Sequence, residues 1–545
     1  MAHDYAAVLQ PLTRHINSND LLQLARGFSH TYEHLALSSP THFLATPVTA
    51  LPTGKETGAF LAIDVGGTNL RVGFVELLGE PGDDSLSAIS RDQNGRKPSK
   101  IRRSHERAWP IEDHLKMDQA DDLFLWIGDC IAGVVKEALD DVSLGVSHLD
   151  EIPMGITFSF PMKQDSISQA TLMPMGKGFA ITSDLNLGKM LLAGYARHCR
   201  ADTTSSVTNG HIISPQKATT TATPTATTCN NLPRLRIAAI TNDTVATYAS
   251  LAYTTTASPN SRVAMGLVVG TGTNATVPMP VSSLGRPKTQ HLELPRGVDP
   301  HAARVVVNTE WSVCGTEAPL KKQRVPTIWD VELDAACDAP GFQPVEYMTA
   351  GRYLGELVRL VLVQLLPQLF GGERGDLPPP LLRRNAVSTR FLATVVALAD
   401  DAVLERELEG LFPAAERGKF QWTKERMDLL RAVAKAVQVR SAALVAAMIV
   451  GLLARVGEVQ LDDEGETQGH DRAPASAEKE ELIVAHTGGV ILQYPGYLEI
   501  CEKWIDTLIS KGSPRNASKR VVLGEAKDGG VIGAAVLAGM FAEAR

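Results

Sequence analysis

Residues 60–77 constrain this chain more than any other stretch. Two apolar runs with period-two alternation, Leu61, Ile63, Val65 and then Leu70, Val72, Phe74, flank Gly66-Gly67-Thr68-Asn69. That pattern predicts two strands closed by a tight glycine turn. Asp64 ends the first strand, and Arg71 lies just inside the second. A carboxylate in an apolar strand is costly unless it is paired or meets a cation. Glycines beyond it open backbone N–H groups to an anion, and an arginine can hold a phosphate oxygen. Strand, acid, glycine turn and arginine together are what a metal–nucleotide site requires. An ordinary hairpin with a capping Asp is the plainer alternative.

A second glycine loop, Gly270-Thr271-Gly272-Thr273-Asn274-Ala275, fits the GxGxxA pattern of dinucleotide folds. A helix should follow it there, but Thr276-Val277-Pro278-Met279-Pro280 cannot continue one, so a phosphate-binding hairpin is expected. No GxxxxGK[ST] loop and no HRD or DFG triplet occurs, which removes two other phosphate-transfer machineries. Asn242-Asp243-Thr244 follows a strand candidate at 236–240. A carboxylate beside an amide suits proton abstraction from a hydroxyl; a helix N-cap at Asp243 or Thr244 is the alternative.

The rest of the chain sets an α/β class. Helical periodicity runs through 20–34, 121–139, 346–369, 423–456 and 497–509, and strands are expected at 152–160 and 265–269. Lys plus Arg is 53 against 61 Asp plus Glu, a net charge of −8, which excludes a basic nucleic-acid footprint. The six cysteines are scattered with no CxxC pair, so neither a zinc site nor a disulfide framework is expected. The apolar runs 441–454 and 529–541 fall short of the ~20 residues that span a bilayer and read as buried helices. No secretory leader or mitochondrial presequence is visible at residues 1–19. Three stretches offer little core and read as solvated excursions: the Thr/Ala/Ser-rich 200–232, the Pro-containing 371–385 and the acidic 462–481.

Taken in order, these segments resemble the eukaryotic hexokinases of the actin-like ATPase superfamily, possible fungal hexokinase-like members included. The resemblance runs from about residue 20 to 545, outside the three excursions. Residues 51–58 match the family's lead-in, and 60–72 its first phosphate motif. Thr157-Phe158-Ser159-Phe160-Pro161 with Gln164 and Lys177-Gly178-Phe179 resembles the sugar signature, and Thr241-Asn242-Asp243-Thr244 the base motif. Residues 270–275 resemble the second phosphate motif. Asn308-Thr309-Glu310-Trp311, residues 340–346 and residues 350–356 complete the set.

The resemblance implies an α/β, two-lobed fold of ribonuclease H-like type. Residues 15–235 would form a small lobe and 236–545 a large one. It implies transfer of the ATP γ-phosphoryl group to the 6-hydroxyl of a hexose, glucose before mannose or fructose, with Mg²⁺, as in the first step of glycolysis. Asp243 would take the hydroxyl proton, with Lys177 and Arg71 assisting. Ser159, Phe160, Lys177, Asn242, Asp243, Asn274, Glu310 and Glu346 would contact the sugar. Asp64, Gly66, Gly67, Thr68, Asn69, Gly270, Thr271, Gly272, Thr273, Gly529 and Gly530 would handle the nucleotide, Asp64 meeting Mg²⁺ through water. No nucleic-acid partner and no transmembrane segment are implied, and a cytosolic location is expected, with mitochondrial or nuclear association left open.

The departures cluster at ligand loops. Met175-Gly176 stand where the family has Trp-Thr, and Ser312 and Cys314 where it has Gly and Phe. Gly489 and Gly530 each replace a Ser, and Val531 replaces a Gly. A β-branched residue is a poor substitute there if the backbone takes a positive φ or must approach a ligand. These changes motivate a second reading, a sugar-binding regulatory protein with weak or no turnover.

Overall fold

The computed structural model describes all residues except 1–4, 80–98, 118–119, 174–184, 200–231, 256–259, 291, 293–298, 300–302, 416–419, 463–478 and 543–545. The excursions read at 200–232 and 462–481 thus lie almost wholly outside the described residues. So does Lys177, with Met175, Gly176, Gly178 and Phe179.

The chain forms two compact units, each a sheet covered by helices, so the α/β class holds. The first comprises Met1–Gly54, Lys163–Ile167 and Thr241–Gly533; the second comprises Lys55–Met162, Ser168–Ile240 and Ala534–Arg545. A linear division at 235/236 therefore differs from the compact units at both ends of the chain. The N-terminal helix Ser18–Ser38 puts Leu21, Leu24, Phe28 and Tyr32 into the core of the first unit, where Tyr32 stacks on Trp311 at 6.5 Å. Conversely, the far half of the helix Gly529–Phe541 lies on the second unit's sheet, where a Cβ at Gly155 would stand 2.0 Å from the Ala534 carbonyl oxygen.

The second unit holds a five-stranded sheet in the order Ile101–Pro110, Asn69–Leu78, Thr57–Val65, Glu151–Phe158, Arg234–Thr241. The two expected strands pair antiparallel from Thr57↔Leu78 to Val65↔Leu70, and Thr57–Val65 runs parallel to Glu151–Phe158. Strand Ile101–Pro110 gives no apolar alternation, because its Arg-rich residues lie at the sheet edge.

The first unit holds a six-stranded sheet in the order Leu44–Ala45, Arg304–Asn308, Thr273–Pro280, Ser261–Val269, Glu480–Thr487, Lys519–Glu525. Its core is built around the helix Lys424–Arg455, whose stretch 441–453 is apolar on all sides because it is buried on all sides. Arg440, on this helix, is 1% exposed and donates to both oxygens of Asp330 at 2.8 and 2.7 Å. By length and composition, Gly351–Phe370 and Lys424–Arg455 are long enough to cross a membrane. However, 67% and 94% of their most apolar windows are buried in this fold, which accounts for the apolarity.

Residues 371–385 lie mostly at the surface, as expected, but the segment is anchored: Leu377 and Leu381 are buried, and Arg359 and Glu356 bind the backbone of Leu381 and Asn385. One expectation needs correction. The helix expected over 346–369 is two helices, Glu346–Thr349 and Gly351–Phe370, separated by Ala350 at φ −97°, ψ 143°. The break turns the Gly351 N–H out to the Gly270 carbonyl at 2.7 Å.

Candidate active site

The expected site residues divide between the two units, and each group is described within its own. In the second unit, Asp64 pairs with Arg71 across the antiparallel ladder and with Thr157 across the parallel one. Residues in register on neighbouring strands put their side chains on one face, so the three form a row on the sheet. The turn closes with Gly66 N–H donating to the Asn69 carbonyl at 2.9 Å, leaving Thr68 and Asn69 exposed at its tip. Gly67 lies within the same turn. Ser159 continues from this edge, its N–H donating to Val65 at 2.9 Å. The Phe160 ring is 1% exposed and packs on Phe158 at 5.1 Å.

Helix Asp243–Thr254 opens in the first unit, directly after the second unit's strand Arg234–Thr241 in the chain. Asn242 is the N-cap, its Oδ1 accepting from Thr244 N at 2.9 Å and Thr244 Oγ1 at 2.8 Å. The capping role thus falls on Asn242, which places Asp243 at the first helical position, where the helix dipole favours an ionised carboxylate. The helix start is seated on the sheet: a Cβ at Gly266 would stand 2.5 Å from the Thr244 carbonyl oxygen and 2.8 Å from Thr276 Cγ2.

The neighbouring strands carry a chain of amides and carboxylates. Asn274 Nδ2 donates to Asn308 Oδ1 at 2.8 Å, and Asn308 Nδ2 donates to Glu310 Oε1 at 2.7 Å. Glu310 is 5% exposed and adopts φ +49°, a left-handed conformation that a non-glycine residue keeps only where its surroundings enforce it. Glu346, also buried, accepts on Oε1 from Thr273 N at 3.0 Å and Ser312 Oγ at 3.3 Å. Burial, and then the Glu346 charge, push the neighbouring Tyr353 phenol up to about 12. Asn308 entered the sequence reading only as part of a family segment and Ser312 only as a departure from one, and neither was given a role.

The second glycine loop is a hairpin, as its prolines require. Gly270 N–H bonds Gly272 at 2.9 Å, and the loop carbonyls of Gly270 and Thr271 accept from Gly351 N at 2.7 Å and Arg352 N at 3.3 Å. Gly488 packs against it at φ +118°, where a Cβ would strike the Val269 carbonyl oxygen at 2.4 Å. Thr273 Oγ1 is buried without a partner. This cradle of backbone and small residues fits a phosphate chain. Among the described residues, no group of three or more His, Cys, Asp or Glu is placed to hold a metal.

The remaining nucleotide candidates lie at the start of helix Gly529–Phe541. Gly529 packs against the helix bearing Asp243, its Cβ position 3.1 Å from Thr247 Cα. Gly530 is half-buried in the first turn of the same helix, Gly529–Phe541. Val531 lies within that helix, is 1% exposed and is not among the positive-φ residues, so the conformational objection to it fails. At Gly489 a Cβ would meet nothing within 4 Å, so a side chain there is sterically allowed.

A two-unit α/β fold with a hairpin acid–arginine pair, a phosphate cradle and a buried amide–carboxylate chain defines a phosphotransferase acting on a polar small molecule. Hexokinase family models match residues 9–253 and 264–540. Hexokinase-2 of Oryza sativa subsp. japonica is 28% identical over 503 residues, covering 91% of this chain and 83% of the rice protein. Human hexokinase-2 is 27% identical over 470 residues, 84% of this chain and 42% of that protein. The structure of Schistosoma mansoni hexokinase complexed with glucose superposes with a TM-score of 0.70 at 25% identity, covering 98% of both chains. The chain belongs to the hexokinase family.

Proposed function

We propose that this protein phosphorylates a hexose, glucose first, on its 6-hydroxyl at the expense of Mg-ATP, as the first step of glycolysis. The observation that carries the reading is the buried chain Asn274–Asn308–Glu310 with Glu346, in the unit that also holds Asp243. Buried acceptors and donors of this kind suit a polyol, because a missing hydroxyl leaves a partner unpaired. Asp243 accepts the hydroxyl proton. Asn242, Asn274, Glu310 and Glu346 orient the sugar, with Ser159 and Lys177 contributing from their own segments. Gly270, Thr271, Gly272 and Thr273 hold phosphate oxygens through the backbone, and the Gly66–Asn69 turn and Arg71 do the same in the second unit. Asp64 would hold Mg²⁺, which would supply charge neutralisation at the phosphates. A cytosolic location belongs to this reading, and five free cysteines among the described residues suit a reducing compartment.

A coupled ATP/glucose assay with Asp243→Ala as control tests the proposal. Wild-type turnover lost in the variant supports it; equal background rates refute catalysis. Glucose calorimetry separates the second reading, a sugar-binding regulator, which Gly489 favours because the start of helix Gly489–Gln493 lacks a hydroxyl. Heat of binding without turnover selects that reading.

A further inference from the structure

We infer that His42 is a positioning residue that sets sugar affinity by holding the turn that carries Glu310. The inference rests on the reading of Glu310 as a sugar contact. His42 is 1% exposed, and the proposed reaction makes no direct use of it. Its Nε2 lies 3.3 Å from the Val313 carbonyl oxygen, which can only accept, so Nε2 carries the proton and donates. Burial pushes the imidazole pKa down, which keeps the ring neutral. Nδ1 is then an acceptor, facing the Ser39 hydroxyl at 2.7 Å and the Thr41 hydroxyl at 3.2 Å. The tautomer is thereby fixed from both sides of the ring. Lys288 Nζ donates to the His42 carbonyl at 2.7 Å, which holds the backbone of the residue as well.

The backbone shows why a side-chain bond is needed at this place. Strand Leu44–Ala45 pairs antiparallel with Arg304–Asn308, Leu44 opposite Asn308 and Ala45 opposite Val307. Phe43 N–H extends the ladder by one bond, to the Thr309 carbonyl at 3.0 Å. Continued in register, the ladder would set His42 opposite Glu310. Instead both chains turn away, Phe43 at φ +50° and Glu310 at φ +49°. Neither is glycine, so each keeps its left-handed backbone only while its surroundings hold it. Behind them, the Phe43 and Tyr32 rings lie 5.6 Å apart, and Tyr32 stacks on Trp311, the residue after Glu310. Beyond Glu310 the turn closes with Val313 N–H on the Glu310 carbonyl at 3.1 Å, and the His42 ring binds the Val313 carbonyl. Residues 42 and 43 therefore grip both ends of the Glu310 turn, Phe43 through its backbone and His42 through its ring. Without the ring donor, the far end keeps its backbone bonds, Thr316 N–H to the Val313 carbonyl at 3.3 Å and Cys314 N–H to Phe342 at 2.9 Å, but loses its tie to His42. Glu310 can then relax its φ, which swings the carboxylate. The cost falls on sugar binding, because this turn carries neither Asp243 nor the phosphate loop.

The test uses the full chain with His42→Gln, His42→Asn and His42→Leu. A glutamine amide reaches as far as Nε2 and can donate to Val313; an asparagine amide stops at the position of Nδ1, and leucine fills the site without donating. Kd and KM for glucose are expected to rise about fivefold in His42→Asn and His42→Leu, the scale of one neutral hydrogen bond, and to stay within about twofold of wild type in His42→Gln. In all three, kcat and the KM for ATP should stay within about twofold of wild type. A merely structural role lowers the urea midpoint and leaves the glucose Kd of the folded variants unchanged, and that outcome overturns the inference. So does a glucose Kd raised equally in His42→Gln, or a fall in kcat as large as the loss of affinity. Where His42→Asn and His42→Leu do not fold, His42→Gln still decides: a glucose Kd near wild type supports the inference and a fivefold rise overturns it. A wild type that binds no hexose overturns the sugar reading and this inference together. A wild type that binds glucose no better than His42→Asn overturns this inference alone.

Discussion

Asn308 donates its side-chain amide to Glu310 Oε1 at 2.7 Å while its own Oδ1 accepts from Asn274 at 2.8 Å. One buried amide therefore fixes an amide on one strand and a carboxylate beyond the next. Replacing it removes a donor to a charged acceptor. Asn308→Ala should raise KM for the sugar about tenfold or more, with a smaller change in kcat. Asn308→Asp should be worse, since it sets a second carboxylate against Glu310. Steady-state kinetics of the two variants check this; equal KM values for Asn308→Ala and wild type would sink it.

Asp243 and Asn242 are neighbours with separable duties. Asn242 caps the helix, so Asn242→Ala should cost roughly 1 kcal/mol of stability. Asp243→Asn leaves the cap in place. It should lower kcat by about 10²–10⁴, the usual worth of a general base, while the denaturation midpoint moves little. Chemical denaturation beside turnover measurements separates the two, and a large stability loss in Asp243→Asn would mean that the residue is structural.

Val531 lies inside a helix and is 1% exposed. Val531→Gly should therefore cost about 2–4 kcal/mol through lost burial and helix flexibility, and it should not raise turnover. Gly489→Ser should change stability by less than about 0.5 kcal/mol, since its Cβ position is open. Urea titrations of both variants are decisive: a neutral Val531→Gly would contradict the buried helical placement.

Burial pushes the His486 imidazole down from 6.5 to about 4, and its Nδ1 has no partner. Between those values the unfolded chain binds a proton that the folded chain refuses. Stability therefore rises with pH across this window and falls on acidification through it, by roughly 3 kcal/mol if this group acts alone. His486→Phe should flatten the pH dependence of the urea midpoint between about pH 6.5 and 4. An unchanged slope would show that other groups govern it.

Much of this was legible in the sequence, for physical reasons. The strand pair around Asp64 and Arg71 showed through its alternation, and the prolines at 278 and 280 correctly excluded a helix after the second glycine loop. Strand Ile101–Pro110 was not legible, because an edge strand needs no apolar face. Nor was the packing of Leu377 and Leu381, whose loop reads as solvated from its three consecutive prolines. Val531 misled because a motif departure carries no backbone angle. Ser312 looked like a departure only; its hydroxyl gains meaning through Glu346, which is distant in sequence.

The helix that begins at Asp243 receives a partner from the other end of the chain. A Cβ at Gly533 would stand 2.1 Å from the Ala246 carbonyl oxygen, so the two backbones touch. On the ribosome, the segment holding the base is therefore made long before the glycines that brace it. At ~5–20 residues per second, the interval is on the order of tens of seconds. During it, the nascent chain exposes a surface shaped for a backbone not yet synthesised, and that surface is where a chaperone would be needed most.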